Sequence, residues 1–111
     1  MLNLYDTATQ SVKPLALRQP GSVSIYLCGP TVYGPPHLGH GRATLVYDIL
    51  RRYLTWTGLS VRLVSNITDI DDKIIKRALE RGITLRALTD EMTAAMHADT
   101  GALGIEPPTV E

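Results

Sequence analysis

At 111 residues, 44% of them hydrophobic and 20% charged, the chain is long enough for one packed core and belongs by composition with soluble globular domains. Eleven basic residues balance eleven acidic ones, so the overall charge announces no nucleic-acid footprint. The single cysteine, Cys28, excludes an internal disulfide and suits a reducing cytoplasm; Met1–Asp6 lacks the regions of a signal peptide, and no apolar run approaches the roughly 20 residues of a membrane helix.

Residues 1–22, with Pro14 and Pro20, read as an extended lead-in with room for one short edge strand and no chemistry of its own. From Val23 the pattern sharpens. Val23, Ile25 and Leu27 alternate with Ser24, Tyr26 and Cys28, the period of two that predicts a strand with Cys28 at its C-terminal end. Two glycines and three prolines in residues 29–36 predict a loop of fixed shape, so no helix begins before His37. Val46, Ile49, Leu50, Tyr53 and Leu54 then recur at three- and four-residue spacing, predicting an amphipathic helix from about His40 to Thr57 that Gly58 stops. Trp56 is expected to pack.

A second strand is predicted at Val61–Val64, and Ser65–Ile70 forms the loop after it. Strand, helix, strand predicts two parallel strands joined by a right-handed crossover, the building block of a doubly wound α/β sheet, although two strands do not complete one. Asp71–Glu80 reads as a short helix with Ile74, Ile75, Ala78 and Leu79 on one face, an Asp72–Lys76 pair, and Gly82 as its stop. Thr84 caps a further helix that carries Leu85, Leu88, Met92, Ala95, Met96 and Asp99 on a stripe up to Gly101, and residues 104–111 read as loop.

In an open α/β sheet, ligands bind beyond the carboxyl ends of the strands, and residues 28–40 and 65–71 both lie there. His37-Leu-Gly-His40 enters its helix at the positive end, where free N–H groups favour phosphate and each imidazole can donate a hydrogen bond that strengthens as charge develops. Gly39 and Gly41 keep the approach clear. The competing reading makes His37 a helix cap and His40 a surface residue; an H-x-x-H metal pair would need further ligands nearby. Cys28 is compatible with a metal ligand, a nucleophile or a buried thiol, and a metal role requires ligands outside the chain. Asn66, Thr68 and Asp69 also fit turn and cap duties, with Thr68 the better placed to meet a ligand; Asp71 and Asp72 resemble paired carboxylates but, adjacent at a helix start, do not share a face and are explained by the helix dipole; and His97 is expected to be solvated.

Cys28-Gly-Pro-Thr-Val-Tyr33, His37-Leu-Gly-His40 and Asn66-Ile-Thr-Asp-Ile-Asp-Asp72 together resemble the cysteine-specific members of the class I aminoacyl-tRNA synthetases, from about Leu4 to Pro108. The resemblance implies that residues 23–111 are the N-terminal half of a Rossmann-type class I catalytic domain. It implies a two-step reaction, in which cysteine attacks the α-phosphate of ATP to give cysteinyl-adenylate and the cysteinyl group then moves to tRNA(Cys). His37, Gly39 and His40 would bind the triphosphate with Mg²⁺, His37 and His40 acting catalytically. Gly29, Thr31, Asn66 and Thr68 would line the amino-acid and adenylate pocket, and Cys28 would be one of four Zn²⁺ ligands, the metal taking the substrate thiolate and so separating cysteine from serine.

The family's other zinc ligands, its Lys-Met-Ser-Lys-Ser-type loop, the second half of the nucleotide fold and the tRNA-binding regions are absent from residues 76–111. The 111 residues alone are therefore expected to bind zinc weakly and to be inactive, and the whole protein to be a cytoplasmic monomer. Two other readings remain. One is the related ligase of the mycothiol pathway, which joins cysteine to an amino sugar and whose first loop resembles Thr-Pro-Tyr-Asp where this chain has Thr31-Val-Tyr-Gly34. The other is a non-catalytic nucleotide- or cysteine-binding module, which would leave an unpaired sheet edge and an uncovered apolar stripe.

Overall fold

The alternation that begins at Val23 resolves as β3 (Ser22–Leu27), the first strand of the parallel pair in a computed structural model that describes residues 2–111. Before it, β1 (Asn3–Asp6) and β2 (Ser11–Pro14) pair antiparallel as a hairpin, where the sequence suggested at most one strand. Asp6 accepts hydrogen bonds from Thr9 Oγ1 at 2.6 Å and from the Ala8 N–H at 3.1 Å, which close the turn. The short alternation hid this pairing, because almost every hairpin side chain is exposed and no apolar face marks it.

Helix α1 (Leu38–Trp56) connects β3 to β4 (Ser60–Ser65), and the two strands pair parallel in register from Ser22–Ser60 to Leu27–Ser65. Gly58, at φ +92°, makes the turn out of the helix. Two further helices follow: α2 (Asp72–Arg81), capped by Asp71 and ended by the left-handed Gly82, and α3 (Leu85–Ala102), capped by Thr84. The tail departs from its expected loop. The Thr109 N–H donates to Leu63 O at 2.8 Å and the Ser65 N–H to Val110 O at 3.0 Å, so the last residues lie parallel to the free edge of β4 as the start of a third strand.

The core is small and sits away from the middle of α1. Ile74 and Leu88 are fully buried at 0% exposure, with Ala78, Met92 and the loop residue Val32 around them. Of the predicted α2 face only Ile74 and Ala78 go inside, while Ile75 and Leu79 stay exposed. Asp72 and Lys76 do not pair among the described residues; α2 instead joins α3 through Arg81 and Glu91 at 3.0 Å.

Helix α1 is turned relative to its apolar stripe. Leu54 is buried, but Val46, Ile49 and Tyr53 are exposed, and Trp56, expected to pack, is 82% exposed. The buried face carries Asp48 and Arg51 instead. Asp48 accepts there from the Arg51 and Arg52 side chains and the Glu106 N–H, and Arg51 donates to the Glu106 and Pro107 carbonyls, whereas a two-stranded sheet has no surface to cover the apolar stripe. The radius of gyration, 16.6 Å, accordingly exceeds the roughly 13 Å of a compact domain near this length. Among the described residues no helix is long and apolar enough to cross a membrane.

The position of Ile74 gives a direct test of this core. Ile74→Ala should destabilise the fold by about 2–5 kcal/mol, read as a lower urea midpoint at unchanged slope; an unchanged midpoint would place the core elsewhere.

Candidate functional site at the strand ends

Beyond Leu27 and Ser65 the two strands do not simply part. Their pairing resumes at Thr31 and Thr68, with the Val32 N–H donating to Thr68 O at 3.2 Å and the Thr68 N–H to Pro30 O at 3.0 Å. Between these ladders Cys28, Gly29 and Pro30 oppose only Asn66 and Ile67, so the first chain carries one extra residue and bulges. At the bulge the Gly29 N–H donates to Asn66 Oδ1 at 2.6 Å. A side chain on Gly29 has no room: a Cβ built there would fall 1.6 Å from the Asn66 carbonyl oxygen. Gly29, Thr31, Asn66 and Thr68 are thus one stitched unit, and buried Val32 anchors it to α2 and α3.

Cys28 stands at the edge of this unit as an exposed free thiol, not the buried thiol that was one of its readings. Zinc is held by about four donors. Among the described residues no group of three or more His, Cys, Asp or Glu side chains comes together. These residues alone do not fit a zinc site.

His37 is the N-cap of α1, and the two histidines form a reciprocal cap. The Gly39 N–H donates to His37 Nδ1 at 3.1 Å, and the His37 N–H donates to His40 Nδ1 at 3.0 Å. A backbone N–H can only donate, so each Nδ1 is the acceptor and each neutral ring carries its proton on Nε2. Capping and ligand binding were alternatives on sequence; the geometry lets one residue do both, since each cap leaves an Nε2–H to donate outward. Of the helix-start N–H groups expected for a ligand, Gly39's goes to the His37 ring, and those of His40 and Gly41 go to the His37 carbonyl. Gly39 makes room for the His37 ring, whose Cε1 would lie 2.9 Å from a Cβ, and Gly41 faces Leu103, the residue after α3, rather than a ligand.

Behind this edge a cavity of about 560 Å³ opens between the sheet, α1 and α3. Cys28, Gly29 and His40 line one side, and Thr44, Asp48, Thr100 and Glu106 line others. His37, Gly39, Thr31, Asn66 and Thr68 do not border it. His97, expected to be solvated, is half exposed but meets Glu111 at 2.7 Å on the cavity rim.

Asp48, 3% exposed, was missed by sequence reasoning. It accepts from Arg51 Nη2 at 2.7 Å, Arg52 Nε at 2.8 Å and the Glu106 N–H at 3.3 Å. Burial pushes its carboxyl up, yet the hydrogen bonds from Arg52, Arg51 and the Glu106 N–H together hold it below the usual carboxylate range. Arg51 donates on to Pro107 O at 2.8 Å and Glu106 O at 3.0 Å, while its Nε is buried without a partner, a loss of about 1–3 kcal/mol. The available signal was an acid followed at i+3 and i+4 by two arginines inside an apolar stretch.

Burial, and then the neighbouring His37, lower the His40 pKa below 6.5. The unfolded chain therefore takes up the proton first, and the stability tied to neutral His40 is full above pH 6.5 and lost as pH falls through the lowered folded value. An NMR titration should find the His40 ring half-protonated below pH 6.5; a midpoint above it would contradict the capped, Nε2–H form.

The family described as tRNA synthetases class I (C) catalytic domain matches residues 14–111. The cysteine–tRNA ligase of Polaromonas naphthalenivorans is 57% identical over 110 residues, covering 99% of this chain and 24% of the relative. Those of Methylibium petroleiphilum, 57% identical over 110 residues and 99% of this chain, and Halorhodospira halophila, 52% identical over 111 residues and 100% of this chain, are likewise covered over 24% of their length. The chain thus spans about a quarter of these relatives. Because the family match runs from the second strand of the hairpin through Glu111, and the relatives align with the chain almost end to end, it belongs to the class I tRNA synthetase catalytic-domain family.

Proposed function

We propose that this chain supplies one wall of the site in which a cysteine–tRNA ligase activates cysteine with ATP and passes it to tRNA(Cys). The carrying observation is the union of two loops at the carboxyl ends of parallel strands beside a helix start whose two histidines each present an Nε2–H. The names of the relatives support tRNA over an amino sugar as the acceptor. In this reading residues 23–111 are the N-terminal half of the nucleotide-binding domain, the whole protein works as a monomer in the cytoplasm, and the tRNA is held by regions outside residues 1–111.

A carboxylate oxygen of cysteine forms a bond to the α-phosphorus of ATP while the bond from that phosphorus to the bridging oxygen breaks, and pyrophosphate leaves with the electron pair. His37 and His40 donate Nε2–H bonds to phosphate oxygens as negative charge shifts, with Gly39 allowing the rings to sit at the helix start and Mg²⁺ sharing the neutralisation. Gly29, Thr31, Asn66 and Thr68 form the rigid edge against which the amino acid and adenylate are oriented; Asn66 has its oxygen committed to Gly29, which leaves its NH₂ to donate. Cys28 is assigned as one thiolate ligand of a zinc ion whose other ligands come from outside these residues. Such a metal would supply a soft anchor for the substrate thiol.

The test is the full-length Polaromonas naphthalenivorans ligase with its matching quarter replaced by residues 1–111. The chimera should support cysteine-dependent exchange of pyrophosphate into ATP and charge tRNA(Cys), the 111 residues alone should not, and His40→Ala should lower exchange by about 10²–10³-fold. A folded chimera without exchange would overturn the reading.

A further inference from the structure

The Asp48, Arg51 and Arg52 cluster has no part in the proposed chemistry, yet it lies in the helix that begins at His37 and touches the segment that forms the opposite wall of the cavity. Arg51 reaches two backbone carbonyls of that segment, Pro107 O at 2.8 Å and Glu106 O at 3.0 Å, and Arg52 reaches a third, Gly104 O at 2.9 Å. Glu106 adds its carboxylate, 3.0 Å from Arg51 Nη2. Just beyond this grip, Thr109 and Val110 join the edge of β4 and Glu111 meets His97.

We propose that Arg51 is a positioning residue for the amino-acid end of the site: it fixes the wall formed by residues 105–108 at a set distance from Cys28 and His40, and so sets the affinity for cysteine. The proposal rests on the cysteine–tRNA ligase reading and deepens it. Four observations carry it. Arg51 is 8% exposed, so its charge is spent inside the molecule and not on a partner. Its planar fork bonds two successive carbonyls and a buried carboxylate at once, a geometry an ammonium cannot copy. Its Nε is buried without an acceptor, so the side chain is held in this pose by what its two Nη groups grip and not by full satisfaction. Asp48 and Glu106 border the same cavity as Cys28 and Gly29, which are assigned to the amino acid; of the three residues assigned to the triphosphate only His40 borders it, and His37 and Gly39 do not. Loosening this wall should therefore act on the amino acid more than on ATP.

The experiment uses the full-length chimera with Arg51→Met, which keeps the length of the side chain, and Arg51→Lys, which keeps its charge. The KM for cysteine in pyrophosphate exchange should rise at least about fivefold in Arg51→Met, with kcat and the KM for ATP within about twofold, and Arg51→Lys should fall between it and the parent. A fall in kcat and in thermal midpoint with an unchanged cysteine KM would mean that Arg51 only stabilises the fold and would overturn the proposal, as would equal changes in both KM values or none. Should the parent chimera itself be inactive, the ligase reading fails, and amide exchange still decides about Arg51. Arg51→Met must then lose protection at Thr109, Val110 and Ser65 while keeping it at Ile25 and Leu27; retained protection at the first three sites overturns the positioning role.

Discussion

The Gly29 amide lies 2.6 Å from the Asn66 side-chain oxygen at a point where the two backbones are too close for any Cβ. Two loops that each look like a turn in isolation become through this contact a single edge, and the ladder resumes beyond it at Thr31 and Thr68. The bulge carries Cys28 and Gly29 at the rim of the cavity, and Val32, on the far side, ties the edge into the core with Ile74 and Leu88. A site built this way resists drift, since moving either loop breaks hydrogen bonds in both.

Helix α1 links the chemical and the structural ends of the molecule. Its first turn is closed by histidine rings, so the groups proposed to meet phosphate are also those that start the helix, and their tautomers follow from that duty. Its middle is occupied by a buried acid with two arginines that hold the chain segment leading to the third strand position. Burial alone would raise the Asp48 pKa; the donors aimed at it outweigh that and lower it instead. The apolar stripe of Val46, Ile49, Tyr53 and Trp56 is left on the outside.

What could be read from the sequence follows from which forces are local. The alternation at Val23–Leu27, the Gly and Pro punctuation of residues 29–36, the Gly82 stop and the Thr84 cap act within a few residues, and each reappears in the structure within a residue or two. The orientation of α1 was misread because hydrophobic spacing assumes that an apolar face always finds a partner, whereas Arg51 and Arg52 found acceptors more than 50 residues away. Separation along the chain likewise hid the strand position of Thr109 and Val110, whose partners are in β4. At the site, position at the strand ends picked out both loops, but the bulge that joins them depends on a one-residue difference between segments no local pattern connects. His37 was weighed as either cap or ligand because sequence does not show that the ring has a nitrogen for each.

The close approach at Gly29 is the claim on which the account stands. In the full-length chimera, Gly29→Ala should lower cysteine-dependent pyrophosphate exchange by about 100-fold or more, because a displacement near 1 Å at a reacting edge has that effect, while Gly34→Ala, with open space around its Cβ, should stay within about threefold of the parent. Full exchange activity in a folded Gly29→Ala enzyme would show that the two loops need not touch, and would contradict it.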